Sequence, residues 1–138
     1  MADPIQPWPV VQSGAQDHPV RTLQHLLRAH GQNVAVDGIF GPLTEAAVKA
    51  VQTGGGLTVD GVVGPQTWPA VIVQVQQGSS GDDVRAAQVE LNKFGYGLTV
   101  DGRFGSGTTS AVRAFQSAHG LGVNGQVGPQ TWQMLVGS

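Results

Sequence analysis

The chain has 138 residues, with 21 Gly, 8 Pro, no Cys and only 12% charged side chains, against a usual glycine share of about 7% and a charged share of about 25%. These departures exclude a coiled coil, a disulfide scaffold and thiolate-bound zinc, and the 40% hydrophobic content excludes a charged disordered tail. The net charge of −2, with Arg21, Arg28, Lys49, Arg85 and Arg113 scattered along the chain, argues against nucleic acid, which demands clustered cations.

From the N-terminus, Met1 to Gln12 carries neither a basic n-region nor a long apolar h-region, so no signal peptide is read in this chain. No run approaches the roughly 18 apolar residues that a membrane span requires, so no membrane partner is expected. Trp8, between Pro7 and Pro9, is either an N-terminal brace docked on the first helical unit or exposed.

The first helix is predicted over 18–30. Val20, Leu23, Leu26 and Leu27 form one apolar face at spacings of three and four, and Gly31 closes the run. Asp17 stands near its start, where negative charge suits the helix dipole. VDGIFGPLT (36–44) then leads into a helix over 42–52, and VDGVVGPQT (59–67) into a third over 65–72. Residues 74–138 repeat this order, with helices predicted over 82–94, 107–118 and 129–136. Asp82 and Asp83 stand at the first of these, and Val84, Ala87 and Leu91 are its apolar face.

The repetition is in register without a gap. Of the 53 positions from Val20 to Ile72, 25 are identical 64 residues later, which means two copies of one structural unit. Inside each unit the mark D-G-x-x-G-P-x-T occurs twice, with variations in the second unit. Its Asp bonds nearby backbone N–H groups, and its first Gly supplies a positive φ. Its second Gly suits a helix N-cap, and Pro at the first helical position loses no useful donor. The Thr hydroxyl lies where it can meet a free helix-start donor.

The expected fold is therefore all-α: two tandem small three-helix bundles joined by a short linker. The N-terminal segment is 1–13, the first module 14–73 and the second 74–138. Ser106-Gly107 in place of Pro42-Leu43, Asn124 in place of Asp60, Pro69 inside the third helix and Gly54-Gly55-Gly56 after the second are departures from regularity. Pro69 and the three glycines make the first unit the less regular one.

No catalytic residues, cofactor or metal site are expected. His18, His25, His30 and His119 do not pair at helical spacing, no H-E-x-x-H or G-x-S-x-G occurs, and Glu45 and Glu90 are the only glutamates.

The order V-R-x-L-Q-x-x-L, then V-D-G-x-F-G-P-x-T-x-x-A-V, then Q, then V-D-G-x-V-G-P-x-T-W resembles the small three-helix peptidoglycan-binding domain found on bacterial and phage cell-wall hydrolases. The resemblance covers roughly Gly14 to Val136. It implies non-catalytic binding of peptidoglycan, through its stem peptide and adjoining sugars, by a secreted or wall-bound protein. On that reading the chain is a mature fragment, and a catalytic domain lost from it is an open expectation.

Carried onto this sequence, the implied contacts are Asp37, Gly38, Phe40, Gly41 and Thr44 in the first module. In the second they are Asp101, Gly102, Arg103, Phe104, Gly105 and Thr108, with Arg103 able to pair a carboxylate. Each has a structural alternative: the aspartates as turn caps, Phe40 and Phe104 as core plugs. Trp68 and Trp132 read as packing residues, and Gln52 and Gln116 as caps of backbone groups or as ligand contacts. The competing functional reading is a structural or protein-interaction module whose peptidoglycan site has decayed.

Overall fold

The computed structural model describes residues 7–16 and 18–137, so Asp17 and the first half of the Met1–Gln12 segment lie outside the described residues. Among the described residues six helices succeed one another: α1 (Val20–Ala29), α2 (Pro42–Gly54), α3 (Trp68–Val71), α4 (Asp82–Lys93), α5 (Ser106–Ala118) and α6 (Pro129–Gly137). Among the described residues the extended pairing is limited to isolated antiparallel bridges, Val11–Val63, Val75–Val127 and Ser80–Arg103. The chain is thus all-helical, as two tandem helical bundles.

α3 departs from its expected length, and Pro69 is the cause. Its ring would clash with the carbonyl of Pro65 in a continuous helix, and it has no N–H to donate there. Residues 64–67 form a turn instead, in which the N–H groups of Thr67 and Trp68 both donate to the Gly64 carbonyl at 3.0 Å. The helix starts at Trp68, with Pro69 in its first turn.

The other departures leave the backbone unchanged. α5 starts at Ser106, the position equivalent to Pro42, and both middle helices run 13 residues. Both also end alike. Leu57 N–H donates to the Gln52 carbonyl at 2.9 Å and Leu121 N–H to that of Gln116 at 2.8 Å, with Gly56 and Gly120 at φ of +68° and +70°. The three successive glycines therefore do not shorten α2.

The segment before α1 is built into the first module. Val11 exchanges backbone hydrogen bonds with Val63 at 2.9 and 2.8 Å, and Trp68 Nε1 donates to the Pro9 carbonyl at 2.7 Å. Trp8 stacks on Trp68 with ring centroids 5.9 Å apart, which makes it a half-buried brace. Sixty-four residues later, Val75 bridges Val127 and Trp132 Nε1 donates to the Val73 carbonyl at 2.8 Å. Residues 73–75 are thus bonded to the second module as residues 9–11 are to the first.

The modules pack on each other through α1 and α4, which run antiparallel. Near one end, the fully buried Glu90 accepts hydrogen bonds from Thr22 Oγ1 at 2.6 Å and from His18 Nε2. Near the other, Asp82 lies 3.4 Å from both His25 Nδ1 and Arg28 Nε. Burial holds the His25 pKa below its ordinary value against the opposing pull of Asp82. At the positions equivalent to Thr22 and Glu90 stand Ala86 and Leu26, both buried and apolar, so the buried polar contact at Glu90 is not repeated between them.

Candidate functional site

Each of the four marks is organised by a buried glutamine on the preceding helix. Gln24 Oε1 accepts the backbone N–H groups of Asp37 and Gly38 at 3.1 and 2.9 Å. Its Nε2 reaches Asp37 Oδ1 at 2.9 Å, the Ile39 carbonyl at 3.1 Å and Thr44 Oγ1 at 3.2 Å. Gln52 does the same for Asp60, Val62 and Thr67. Gln88 does so for Asp101, Arg103 and Thr108, and Gln116 for Asn124, Gln126 and Thr131. The mark's Thr therefore meets a glutamine amide, where the sequence suggested a helix-start donor. One amide serves the turn, the loop carbonyl and the next helix at once, which satisfies polar groups that would be costly to bury alone.

The mark's first glycine is needed at each turn: Gly38, Gly61, Gly102 and Gly125 have φ of +77°, +73°, +75° and +75°. Three residues before each glutamine is a cation, Arg21, Lys49, Arg85 or Arg113, and its stem lies against that glycine. A Cβ on Gly38 would come 3.1 Å from Arg21 Nε, and one on Gly102 would come 3.0 Å from Arg85 Cζ. Cations that look scattered along the sequence thus occupy one repeated place in the fold.

The aspartates make the Asx turns expected of them. Asp37 Oδ1 also accepts Ile39 N–H at 3.0 Å, and Asp101 Oδ1 accepts Arg103 N–H at 2.9 Å. These backbone donors first, and the glutamine amides second, hold the carboxyls of Asp37, Asp60 and Asp101 below the ordinary range. Asn124 accepts the same pair of bonds, from Gln116 and from Gln126 N–H. The loss of a carboxylate there leaves the turn intact.

Beside each mark is a shallow depression, and the four are equivalent position by position. The one at α2 has a volume of about 260 Å³ and is lined by Asp37, Ile39, Gly41, Pro42, Leu43 and Thr44, with Ala35. The one at α5 has about 300 Å³ and is lined by Asp101, Arg103, Gly105, Ser106, Gly107 and Thr108, with Thr99. The other two flank the third helices. One is bounded by Asp60, Val62 and Thr67, the other by Asn124, Gln126 and Thr131 with Gln74 and Gln130.

The residues expected to contact a ligand divide between surface and core. Asp37, Gly41 and Thr44 line the α2 pocket, and Asp101, Arg103, Gly105 and Thr108 line the α5 pocket. Phe40 and Phe104 are 1% and 3% exposed. They plug the two cores and present no aromatic floor, because the loop turns them inward as its backbone pairs with Ala15 and Ser79. Gly38 faces Arg21 in a separate cleft of about 190 Å³ between the modules. Ile39, Leu43, Ser106 and Gly107, which form the pocket rims, are visible in the sequence only as the variable positions of the mark. Among the described residues no group of three His, Cys, Asp or Glu side chains could hold a metal ion.

Comparison with known proteins gives two matches to the family model for the peptidoglycan binding domain, at residues 16–71 and 80–135. The zinc D-Ala-D-Ala carboxypeptidase of Streptomyces albus G is 33% identical over 99 residues, which cover 70% of this chain and 38% of that enzyme. A spore cortex-lytic enzyme of Bacillus cereus is 49% identical over 63 residues, 45% of this chain and 24% of the enzyme. Among solved structures, a peptidoglycan-binding protein from Clostridioides difficile is 42% identical, with a TM-score of 0.46 and coverage of 46% of this chain and 40% of that one. The chain spans about a quarter to about a half of the length of the first curated relatives it matches.

Proposed function

We propose a function from one premise: this chain belongs, twice over, to the peptidoglycan binding domain family. It binds peptidoglycan without chemistry of its own, at or outside the bacterial cell surface, and so holds itself or an attached domain on the wall. The observation that carries this reading is the repeated pocket. Four depressions share one glutamine-ordered frame, and the α2 and α5 pair fall on the loops where the family resemblance places ligand contacts. The ligand is the stem peptide with its adjoining sugar, of which openings of about 260 and 300 Å³ admit only a part at a time. Two weak sites on one chain gain from effective concentration, so the pair holds a polymeric wall more tightly than either alone.

The test is sedimentation of the intact chain with purified sacculi. The chain should appear in the pellet, be displaced by soluble muropeptides, and release no dye from dye-labelled wall. Retention in the supernatant even at low salt would overturn the binding reading, and dye release would overturn the non-catalytic one.

A further inference from the structure

The α2 and α5 pockets share their floor and differ at the rim. At the offset of 64, Ile39 is replaced by Arg103, Pro42 by Ser106, Leu43 by Gly107 and Ala35 by Thr99. The α2 rim is apolar and stands in water, with Ile39 50% and Leu43 72% exposed. The α5 rim carries a guanidinium and two hydroxyls. Its mouth is also more open, because a Cβ on Gly107 would meet nothing within 4 Å.

Arg103 is fixed at its backbone and free at its head. Its N–H donates to Asp101 Oδ1 at 2.9 Å, its carbonyl accepts Gln88 Nε2 at 3.1 Å, and it bridges Ser80. Its side chain is exposed, and among the described residues the ion pairs involve other groups. A guanidinium presents a fork that matches one carboxylate in bidentate fashion. The neighbouring Asp101 carboxylate offsets the long-range pull of Arg103 on an anion, so recognition rests on short-range bidentate contact rather than on net charge.

We propose that the two modules are not redundant: the α5 pocket takes the free terminal carboxylate of a short peptide through Arg103, and the α2 pocket, with Ile39 in that place, does not. This rests on the peptidoglycan reading and adds what the second module recognises.

The test uses the intact chain and one stem-type peptide prepared twice, with a free C-terminal carboxylate and as the C-terminal amide. Binding is followed by calorimetry and by amide NMR shifts at Gly105 to Thr108. The carboxylate form should bind about tenfold more tightly, the scale of one charge-assisted hydrogen bond. Arg103→Ile, which installs the residue the first module already tolerates, should abolish that preference. Ile39→Arg should create a matching response at Gly41 to Thr44, and inorganic phosphate should compete weakly.

Equal affinity for the two peptides would overturn the proposal, as would a preference that survives Arg103→Ile. Failure of both peptides to bind would overturn it as well. The broader peptidoglycan reading fails only if sacculi also leave the intact chain in solution, so the two failures are distinguishable.

Discussion

The third helix has four residues in the first module and nine in the second, yet Trp68 and Trp132 do the same thing in both. Each indole is fully buried, and each Nε1 donates to a carbonyl 59 residues earlier. The glutamine-centred turns ahead of both helices also match bond for bond. What holds a module together is therefore the tryptophan anchor and the turn, while the length of the helix behind them is free to vary. The modules differ too in their aromatic packing. The first stacks Trp8 on Trp68, whereas the second gathers Phe94, Phe115 and His119, with the two phenylalanine rings 4.9 Å apart.

If the turns are equivalent, removing their glutamines should cost the same in both halves. Gln24→Leu and Gln88→Leu each leave a buried glycine N–H and a loop carbonyl without a partner, a loss of about 2–3 kcal/mol. Denaturant unfolding of each variant, with amide signals assigned to each module, checks this. A difference of more than about 1 kcal/mol between the two would break the equivalence.

A second comparison uses acid. The first module has two turn carboxylates with lowered pKa, Asp37 and Asp60, and the second has one, Asp101, because Asn124 does not titrate. A folded-state pKa below the unfolded value gives stability that is present above the unfolded value and lost as pH falls through the folded one. From about pH 5 to about pH 2 the first module should therefore lose its amide signals before the second. Asp60→Asn should narrow the gap, and earlier loss of the second module would show that its carboxylates are not the deciding groups.

The smallest effect is expected at Pro69. Pro69→Gln, which copies Gln133, removes the ring and restores an N–H, so residues 65–68 can wind as they do in α6. Far-UV circular dichroism should gain about one turn of helix, with stability changing by less than about 1 kcal/mol. An unchanged spectrum would mean that the exit of the chain at Ile72, and not the proline, sets the length of α3.

The helices were legible because their apolar residues recur at spacings of three and four, and because Gly, Pro and Thr punctuate their starts. The glutamine network was legible only at Gln52 and Gln116, read as caps of backbone groups. Gln24 lies 13 residues before Asp37 but Gln52 lies only 8 before Asp60, since a longer path leaves the first helix than the second. A fixed-spacing reading sees two unrelated glutamines where the fold has one device. The aspartates and threonines of the candidate site were found through their motif, but the inward turn of Phe40 and Phe104 depends on which carbonyls their loop pairs with. Of the rim residues only Arg103 was named as a contact, because the rims occupy the positions where the repeats disagree.

By itself the sequence determined that this chain is two copies of one helical unit, where its helices begin to within a residue or two apart from α3, and where its four turns fall, because those depend on local backbone preferences and on periodicity. The tertiary structure alone decided that the segment before each module becomes part of it, and that α1 and α4 pack with Glu90 buried against Thr22 and His18. It also decided that four loops present one pocket with different rims. These depend on which side chains meet across long separations, where burial makes an unpaired polar group costly and so selects the arrangement in which each finds a partner.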